Sequence, residues 1–317
     1  MRRVLVTGGT GMIGSALVAR LVADGDDVTL LIRDSSNRSR LQGLEGQFRF
    51  CAGDVRDETA IQTAVRYTQP DVVFHLASTP FNPPTISSQT HLDTIVKGTM
   101  NLVEAVKERP EVRVVAAGSA AAYGSGSGLR EDAPLRPGTV LGAAKASASL
   151  ILQMAARRYQ LQTRELRLFM PYGPGEHSNR LIPYTILSAL RGREIRMTEG
   201  RQQRDVVFLN DVVEAFCLAA TAPVPAGSVF NIGSGVGTPV RAIVERILDL
   251  LGHPVKPLLG AIPTRPDEIM EMSADITAAR AHLGWESRTP LEEGLRRTIA
   301  WFTERRERTR DAVGVSR

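Results

Sequence analysis

Cysteine is scarce in this chain of 317 residues. Cys51 and Cys217 are the only two, far apart and each in an apolar run, which excludes a disulfide framework and predicts buried free thiols in a reducing compartment. Aromatic residues are few as well, at 5%. The basic residues are scattered, with no stripe interleaved with aromatics, so nucleic acid is not an expected partner. No uninterrupted apolar run approaches the roughly 20 residues of a membrane span. The apolar stretch after Arg3 runs straight into Gly8 and Gly9, too short for a signal peptide. These absences predict a cytoplasmic protein that touches no membrane. The net charge of +5 is mild. It reads either as an ordinary basic surface or as attraction for anionic substrates such as phosphates.

What is present is a rhythm of strand-like and helix-like segments. Residues 4–6, 28–32, 48–51, 72–76 and 112–117 are short apolar runs, as expected for strands covered on both faces. Helical spacing lies between them, at 12–23 and 90–107, and again at 143–159 before a strand near 165–170. This alternation predicts an α/β fold with a doubly wound parallel sheet. After residue 175 short elements, prolines and glycines dominate, with helices near 181–190, 211–220, 242–251 and 290–302. The expected division is a first domain over 1–175 and a smaller mixed α/β substrate region over 176–303. Helix 211–220 is expected to pack back on the first domain, and the charged tail over 304–317 to fray.

The first turn reads TGGTGMIG, with Gly8, Gly11 and Gly14 spaced as GxxGxxG and Gly9, Gly11 and Gly14 as GxGxxG. Glycines there allow a tight bend and let the backbone approach a pyrophosphate, while the following helix N-terminus attracts negative charge. A glycine pattern alone also makes plain turns. Here it follows a strand and opens a helix, which points to a Rossmann dinucleotide site. The end of the second strand discriminates between cofactors. An acidic residue suits the ribose of NAD, a basic one the extra phosphate of NADP. The segment LLIRDSSNRSR puts Arg33 at the strand end, with Ser35 beyond it, and favours NADP over NAD. The other reading makes Arg33 a solvated charge and lets Asp34 reach the ribose.

Several further motifs together resemble the extended short-chain dehydrogenase/reductases, in particular their nucleotide-sugar epimerase/dehydratase group. TGGTGMIG is similar to that family's TGxxGxIG. GDV at 53–55 resembles its adenine-contacting segment, HLAS at 75–78 its segment under the cofactor, and KGTMNLVEA at 97–105 its NxxGTxNLLEA helix. GSAAAYG at 118–124 resembles the strand end that carries a catalytic Ser or Thr, here Ser119. The resemblance implies cofactor contacts from Gly8, Gly11, Met12, Ile13, Gly14, Asp54, Val55, Leu76, Ala77, Ser78 and Lys145. PYGPG at 171–175, QRDVVFLNDV at 203–212 and TRPDE at 264–268 continue the family order. They imply Asn179, Arg204, Arg265 and Asp267 toward a nucleoside-diphosphate sugar, since the planar fork of arginine matches phosphate oxygens. The resemblance also implies a homodimer through the helices at 90–107 and 143–159. No metal site is assigned.

The pattern breaks where the family's YxxxK is expected. Lys145 is present, but the tyrosine position four residues before it holds Leu141, which carries no proton. The family's usual asparagine is replaced as well, by Ile95. Tyr123, His177 or Tyr172 could supply the missing acid/base, and a histidine titrates near neutral pH. Ala120 and Ala121 stand where 4,6-dehydratases of the family carry acids, which argues against a standard dehydratase. The expected activity is C4 epimerisation or 4-ketoreduction of a nucleotide sugar, with Ser119 and Lys145 in the site. Two other readings stay open: a nucleotide-binding sensor or partner protein without turnover, and a reductase of a non-sugar carbonyl.

Overall fold

The computed structural model describes residues 1–79, 86–265 and 268–314, with side chains as far as Arg306. The first half alternates strands and helices in the order β1 (Arg3–Thr7), α1 (Met12–Ala23), β2 (Asp27–Ile32), β3 (Arg49–Ala52), α2 (Glu58–Thr68), β4 (Val72–His75), α3 (Ser88–His91), α4 (Gly98–Val106) and β5 (Arg113–Ser119). Next come β6 (Gly126–Leu129), α5 (Val140–Tyr159), β7 (Gln162–Leu168) and β8 (Met170–Tyr172). The second half holds α6 (Leu181–Leu190), β9 (Ile195–Arg196), β10 (Gln203–Arg204), β11 (Val206–Phe208), α7 (Leu209–Thr221) and β12 (Ser228–Ile232). It ends with β13 (Thr238–Pro239), α8 (Val240–Leu250), β14 (Pro257–Leu258), β15 (Met272–Ala274) and α9 (Leu291–Gly314).

Seven strands form one parallel sheet in the order β12-β7-β5-β4-β1-β2-β3. The strand order reverses between β1 and β4. Ligands of open parallel sheets bind beyond the carboxyl ends of the strands at such a point. The period-2 alternation of side chains sorts the apolar strands onto two faces. Val4, Val6, Phe74 and Val115 share one cluster with Leu17, Val18 and Leu21 of α1 and with Val212, Phe216 and Ala219 of α7. Leu5, Val73 and Val114 face the other way, onto Ile61 and Val65 of α2, Leu102 and Val103 of α4, and Leu152 of α5. Thus α7, from the second half of the chain, covers the sheet beside α1, and β12 is its seventh strand. The sheet itself crosses position 175. A separate apolar cluster joins α6, β11, α8 and α9 through Ile182, Ile186, Phe208, Ile243, Ile247 and Leu295.

Several boundaries differ from those expected. Helix α5 begins at Val140 rather than 143, because Thr139 Oγ1 accepts the Gly142 N–H at 3.0 Å and caps it. Leu141 and Lys145 therefore both lie on the helix, one turn apart on the same side. The helix expected over 90–107 starts at Ser88 and carries a π-helical stretch, Leu92–Lys97, before α4; such insertions concentrate at functional sites. The helix expected over 290–302 is α9, Leu291–Gly314. Both cysteines are free but only half-buried. Among the described residues no helix is long and apolar enough to cross a membrane.

Candidate active site

The glycine bend sits at the strand-order reversal. Gly8 leaves β1 with φ +74°, and a Cβ there would lie 2.6 Å from the Leu76 carbonyl carbon at the end of β4. Gly11 donates to Gly8 O at 3.1 Å and is the N-cap of α1 without any side-chain cap, so the first N–H groups of Met12, Ile13 and Gly14 are left for a ligand. A Cβ at Gly14 would meet Gly8 O at 2.1 Å. Bare backbone and an uncapped helix start at one crevice fit a dinucleotide phosphate. The neighbouring strand end is pinned: Leu76 N donates to Thr7 O at 3.1 Å and Ala77 N to Thr7 Oγ1 at 3.2 Å. His75 is buried between Thr7 Oγ1 (2.9 Å) and Thr99 Oγ1 (3.4 Å). Burial first, and then Lys145, depress its pKa to about 3, so the ring is neutral.

Arg33, Asp34 and Ser35 are exposed beyond β2, as is Ser78 beyond β4. Asp54 accepts from Arg56 N at 2.9 Å and from Arg56 Nη2 at 2.8 Å. Burial works to raise its pKa, but the Arg56 hydrogen bonds outweigh it and hold the carboxyl below its usual value. Val55 is buried, and its carbonyl accepts Asn101 Nδ2 at 2.9 Å.

Ser119 ends β5, half-buried, its Oγ accepting the Ala121 N–H at 3.2 Å. Lys145 is buried on α5 and donates to Ala117 O at 2.6 Å. Burial pulls its pKa down to about 8, with Glu165 opposing. Leu141 and Ile95 share one apolar cluster with Val96, Ala144 and Ala148. The side chains at these two positions thus belong to one apolar patch.

Tyr123 is not available as the replacement acid/base. It is 2% exposed, its hydroxyl donates to Asn231 Oδ1 at 2.8 Å and accepts from Arg167 Nη1 at 2.7 Å, and burial pushes its pKa up to about 12. Tyr172 is packed away too, donating to Leu291 O at 3.2 Å. His177 is exposed in the loop before α6, its Nδ1 facing Asn179 N at 3.4 Å. Another histidine lay outside the sequence reading. His91 of α3 shares a 2.6 Å hydrogen bond with Thr79, just past the HLAS segment.

In the second half of the chain, Glu268 brings Arg204 and Arg265 together, accepting from Arg204 Nη2 at 2.5 Å and Arg265 Nη2 at 2.9 Å. Arg204 is mostly buried, Arg265 exposed. Burial lowers the Arg204 pKa, and the positive charges of Arg265 and Arg180 add to that, so the three arginines share one field. Asn179, next to Arg180 in sequence, is exposed. Asp267 lies outside the described residues. Glu268 and Glu176 were missed by the motif reading.

A protein-family model described as the NAD dependent epimerase/dehydratase family matches residues 4–233. The chain belongs to that family. It is 32% identical to a UDP-glucose 4-epimerase of Mycolicibacterium smegmatis, over 95% of this chain and 98% of that protein. It is 29% identical to a dTDP-glucose 4,6-dehydratase of Haemophilus influenzae, over 95% and 98%. Among solved structures it is similar to the UDP-glucose 4-epimerase of Thermotoga maritima with UDP-glucose, with a TM-score of 0.88, 29% identity, and 95% and 98% of the chains covered. It is likewise similar to MoeE5 in complex with UDP-glucose and NAD, with a TM-score of 0.85, 32% identity, and 95% and 98% covered.

This epimerase/dehydratase-family chain carries one more unusual group in the loop before α6. Glu176 is 7% exposed, Arg180 Nε approaches its Oε1 at 3.4 Å, and its Oε2 has no hydrogen-bond partner among the described residues. Burial pushes its pKa up to about 7, against the pull of Arg180. In the unfolded chain it ionises near 4.5, so between those values the folded state holds the extra proton. Its contribution to stability is present at low pH and lost as pH rises through 7, about 3 kcal/mol in all. Glu176→Gln removes that loss. Thermal unfolding is expected to show the variant gaining several degrees over the native chain at pH 8 and little at pH 5. Equal differences at both values would contradict the assignment.

Proposed function

We propose that this protein is an NAD(P)-dependent enzyme acting on a nucleoside-diphosphate sugar, a C4 epimerase or 4-ketoreductase. The observation that carries this reading is the position of Ser119 and Lys145. Both stand at the carboxyl edge of the sheet near the glycine bend, with the Arg204–Glu268–Arg265 cluster supplying charge for a diphosphate. The bound dinucleotide would supply a hydride acceptor and donor. The N–H groups of residues 12–14 hold its phosphates. Asp54, Val55, Leu76, Ala77 and Ser78 line its adenosine and ribose path. Lys145 lends positive charge at the reacting end, and Ser119 hydrogen-bonds the reacting sugar oxygen. Arg204, Arg265 and Asn179 anchor the diphosphate, so binding energy remote from C4 aligns the reacting carbon. The proton is assigned to His177 or His91, since Tyr123 is fully engaged. Ala120 and Ala121 offer no acid, which disfavours 4,6-dehydration.

NADP is the favoured cofactor, on the exposed Arg33 and Ser35 beyond β2. Arg33→Ala is expected to weaken NADP binding about tenfold, near 1.4 kcal/mol, and to leave NAD unchanged. Calorimetry with both dinucleotides reads this directly; equal losses for the two would reverse the preference. A homodimer through α4 and α5 is also proposed, Leu150 being 56% exposed on α5, and sedimentation equilibrium tests it.

The apolar pairing of Leu141 with Ile95 favours a second reading, a dinucleotide-binding protein without turnover. Assays of hydride exchange on UDP- and dTDP-sugars separate the two. Tight cofactor binding without exchange on any of them, unaffected by Lys145→Ala, would select the second.

A further inference from the structure

We propose that Glu165 is a positioning residue that holds the charge and the place of Lys145 beneath the strand end carrying Ser119. The proposal rests on reading Lys145 as a working group of the site. Its test is independent of turnover.

A carboxylate in the middle of a sheet strand needs an explanation. Glu165 lies on β7, paired with Ala116 of β5, and is 3% exposed. Burying a charge there costs several kcal/mol unless it is compensated. Part of the compensation is structural. Ser149 Oγ of α5 donates to Oε2 at 2.5 Å, and Arg167 Nε stands 3.5 Å from the same oxygen. Arg167 is also committed elsewhere, to the Tyr123 hydroxyl, the Glu131 carbonyl and Ser149 Oγ.

The other oxygen points to the site. A Cβ at Gly118 would lie 2.3 Å from Glu165 Oε1 and 2.8 Å from its Cγ. The glycine immediately before Ser119 therefore leaves the space this carboxylate fills. Beside it is a small cavity of about 10 Å³ whose lining includes Lys145, Glu165, His75, Thr99 and Ser149, room for one water. Lys145 uses one N–H on Ala117 O. It makes no direct ion pair with Glu165 among the described residues, and both side chains line the cavity.

The groups around Lys145 leave Glu165 as its counter-charge. From β4 comes His75, neutral by burial. From the π-helical stretch and α4 come Ile95 and Thr99, uncharged. From β7 come Glu165 and the cation Arg167. Burial depresses the Lys145 pKa to about 8, and Glu165 is the group that opposes it. Without that carboxylate, burial would act on the ammonium unopposed and weaken its hold on the proton.

The chain has four lysines, Lys97, Lys107, Lys145 and Lys256, so ¹³Cε NMR of the ligand-free full-length protein can follow Lys145 alone, assigned with Lys145→Arg. The expected midpoint in the native chain is near 8. Glu165→Gln is expected to lower Lys145 proton affinity at least about tenfold, roughly one pH unit, and Glu165→Asp to restore most of it. Gly118→Ala, which pushes on the carboxylate and keeps its charge, is expected to shift the midpoint in the same direction. It serves as the readout if Glu165→Gln does not fold. A Lys145 midpoint unchanged in Glu165→Gln, or in Gly118→Ala where only that variant folds, overturns the proposal. Loss of the functional reading has a different signature: native Lys145 titration and normal Glu165 dependence, with no effect of Lys145→Ala on dinucleotide binding or turnover.

Discussion

Lys145→Ala is expected to lower kcat about a thousandfold and to change KM little. In the proposed reading Lys145 is the surviving member of the family's helical tyrosine–lysine pair. It sits one turn from Leu141, and with a pKa of about 8 it is mostly charged at pH 7. In the proposed reaction its charge faces the reacting end of the cofactor and helps during proton and hydride movement, where positioned charge and acid/base help contribute about 10²–10⁴-fold. The anchoring arginines lie elsewhere, so ground-state binding of the sugar nucleotide should persist, and the loss should fall on kcat. Steady-state kinetics reads the split. A variant that loses KM and keeps kcat would move Lys145 from the chemistry to substrate binding.

Gly14→Ala is expected to abolish measurable dinucleotide binding, a loss of at least about a hundredfold, or nearly 3 kcal/mol. The added methyl would sit 2.1 Å from Gly8 O and 2.9 Å from both Gly8 C and Gly9 Cα. All three are backbone atoms, so no rotamer change relieves the clash and the bend itself must open. Opening it moves the N–H groups that would hold the phosphates. Gly25→Ala is a control, since a Cβ there meets nothing within 4 Å, although its φ of +80° brings modest strain of its own. Calorimetry on the two variants compares them; full binding by folded Gly14→Ala would place the cofactor elsewhere.

Much of this architecture is legible from local pattern. The apolar runs at 4–6 and 72–76 and the helix at 12–23 carry their own periodicity, and the glycine bend announces a strand-to-helix turn. Ser119 and Lys145 could be named as candidates because each stands inside a contiguous motif. The rest depends on partners far away in sequence. Tyr123 looks like a free phenol until Asn231 and Arg167 close around it, 108 and 44 residues away. The neighbouring of Leu141 with Ile95 requires α5 and the π-helical stretch to be packed together. Glu165 had a signal that the motif reading passed over. The segment TRELRL places charges at Arg164, Glu165 and Arg167 in a strand that a parallel sheet buries on both faces. The Arg265–Glu268 pair, three residues apart, was within reach. The role of Glu268 as the link to Arg204, 64 residues away, was not.

The most direct measurement follows the hydride itself. Native protein would be incubated with NADP or NAD and UDP-glucose bearing deuterium at C4, and the nicotinamide examined by mass spectrometry, with a panel of other UDP- and dTDP-sugars in parallel. The account predicts deuterium passing from sugar C4 to the nicotinamide ring with at least one sugar nucleotide, and its loss in Lys145→Ala. An epimerase returns the deuteride to C4 on the opposite face, so the sugar's C4 configuration is read alongside. Firm binding of both ligands with neither deuterium on the nicotinamide nor inversion at C4 for any sugar would contradict it.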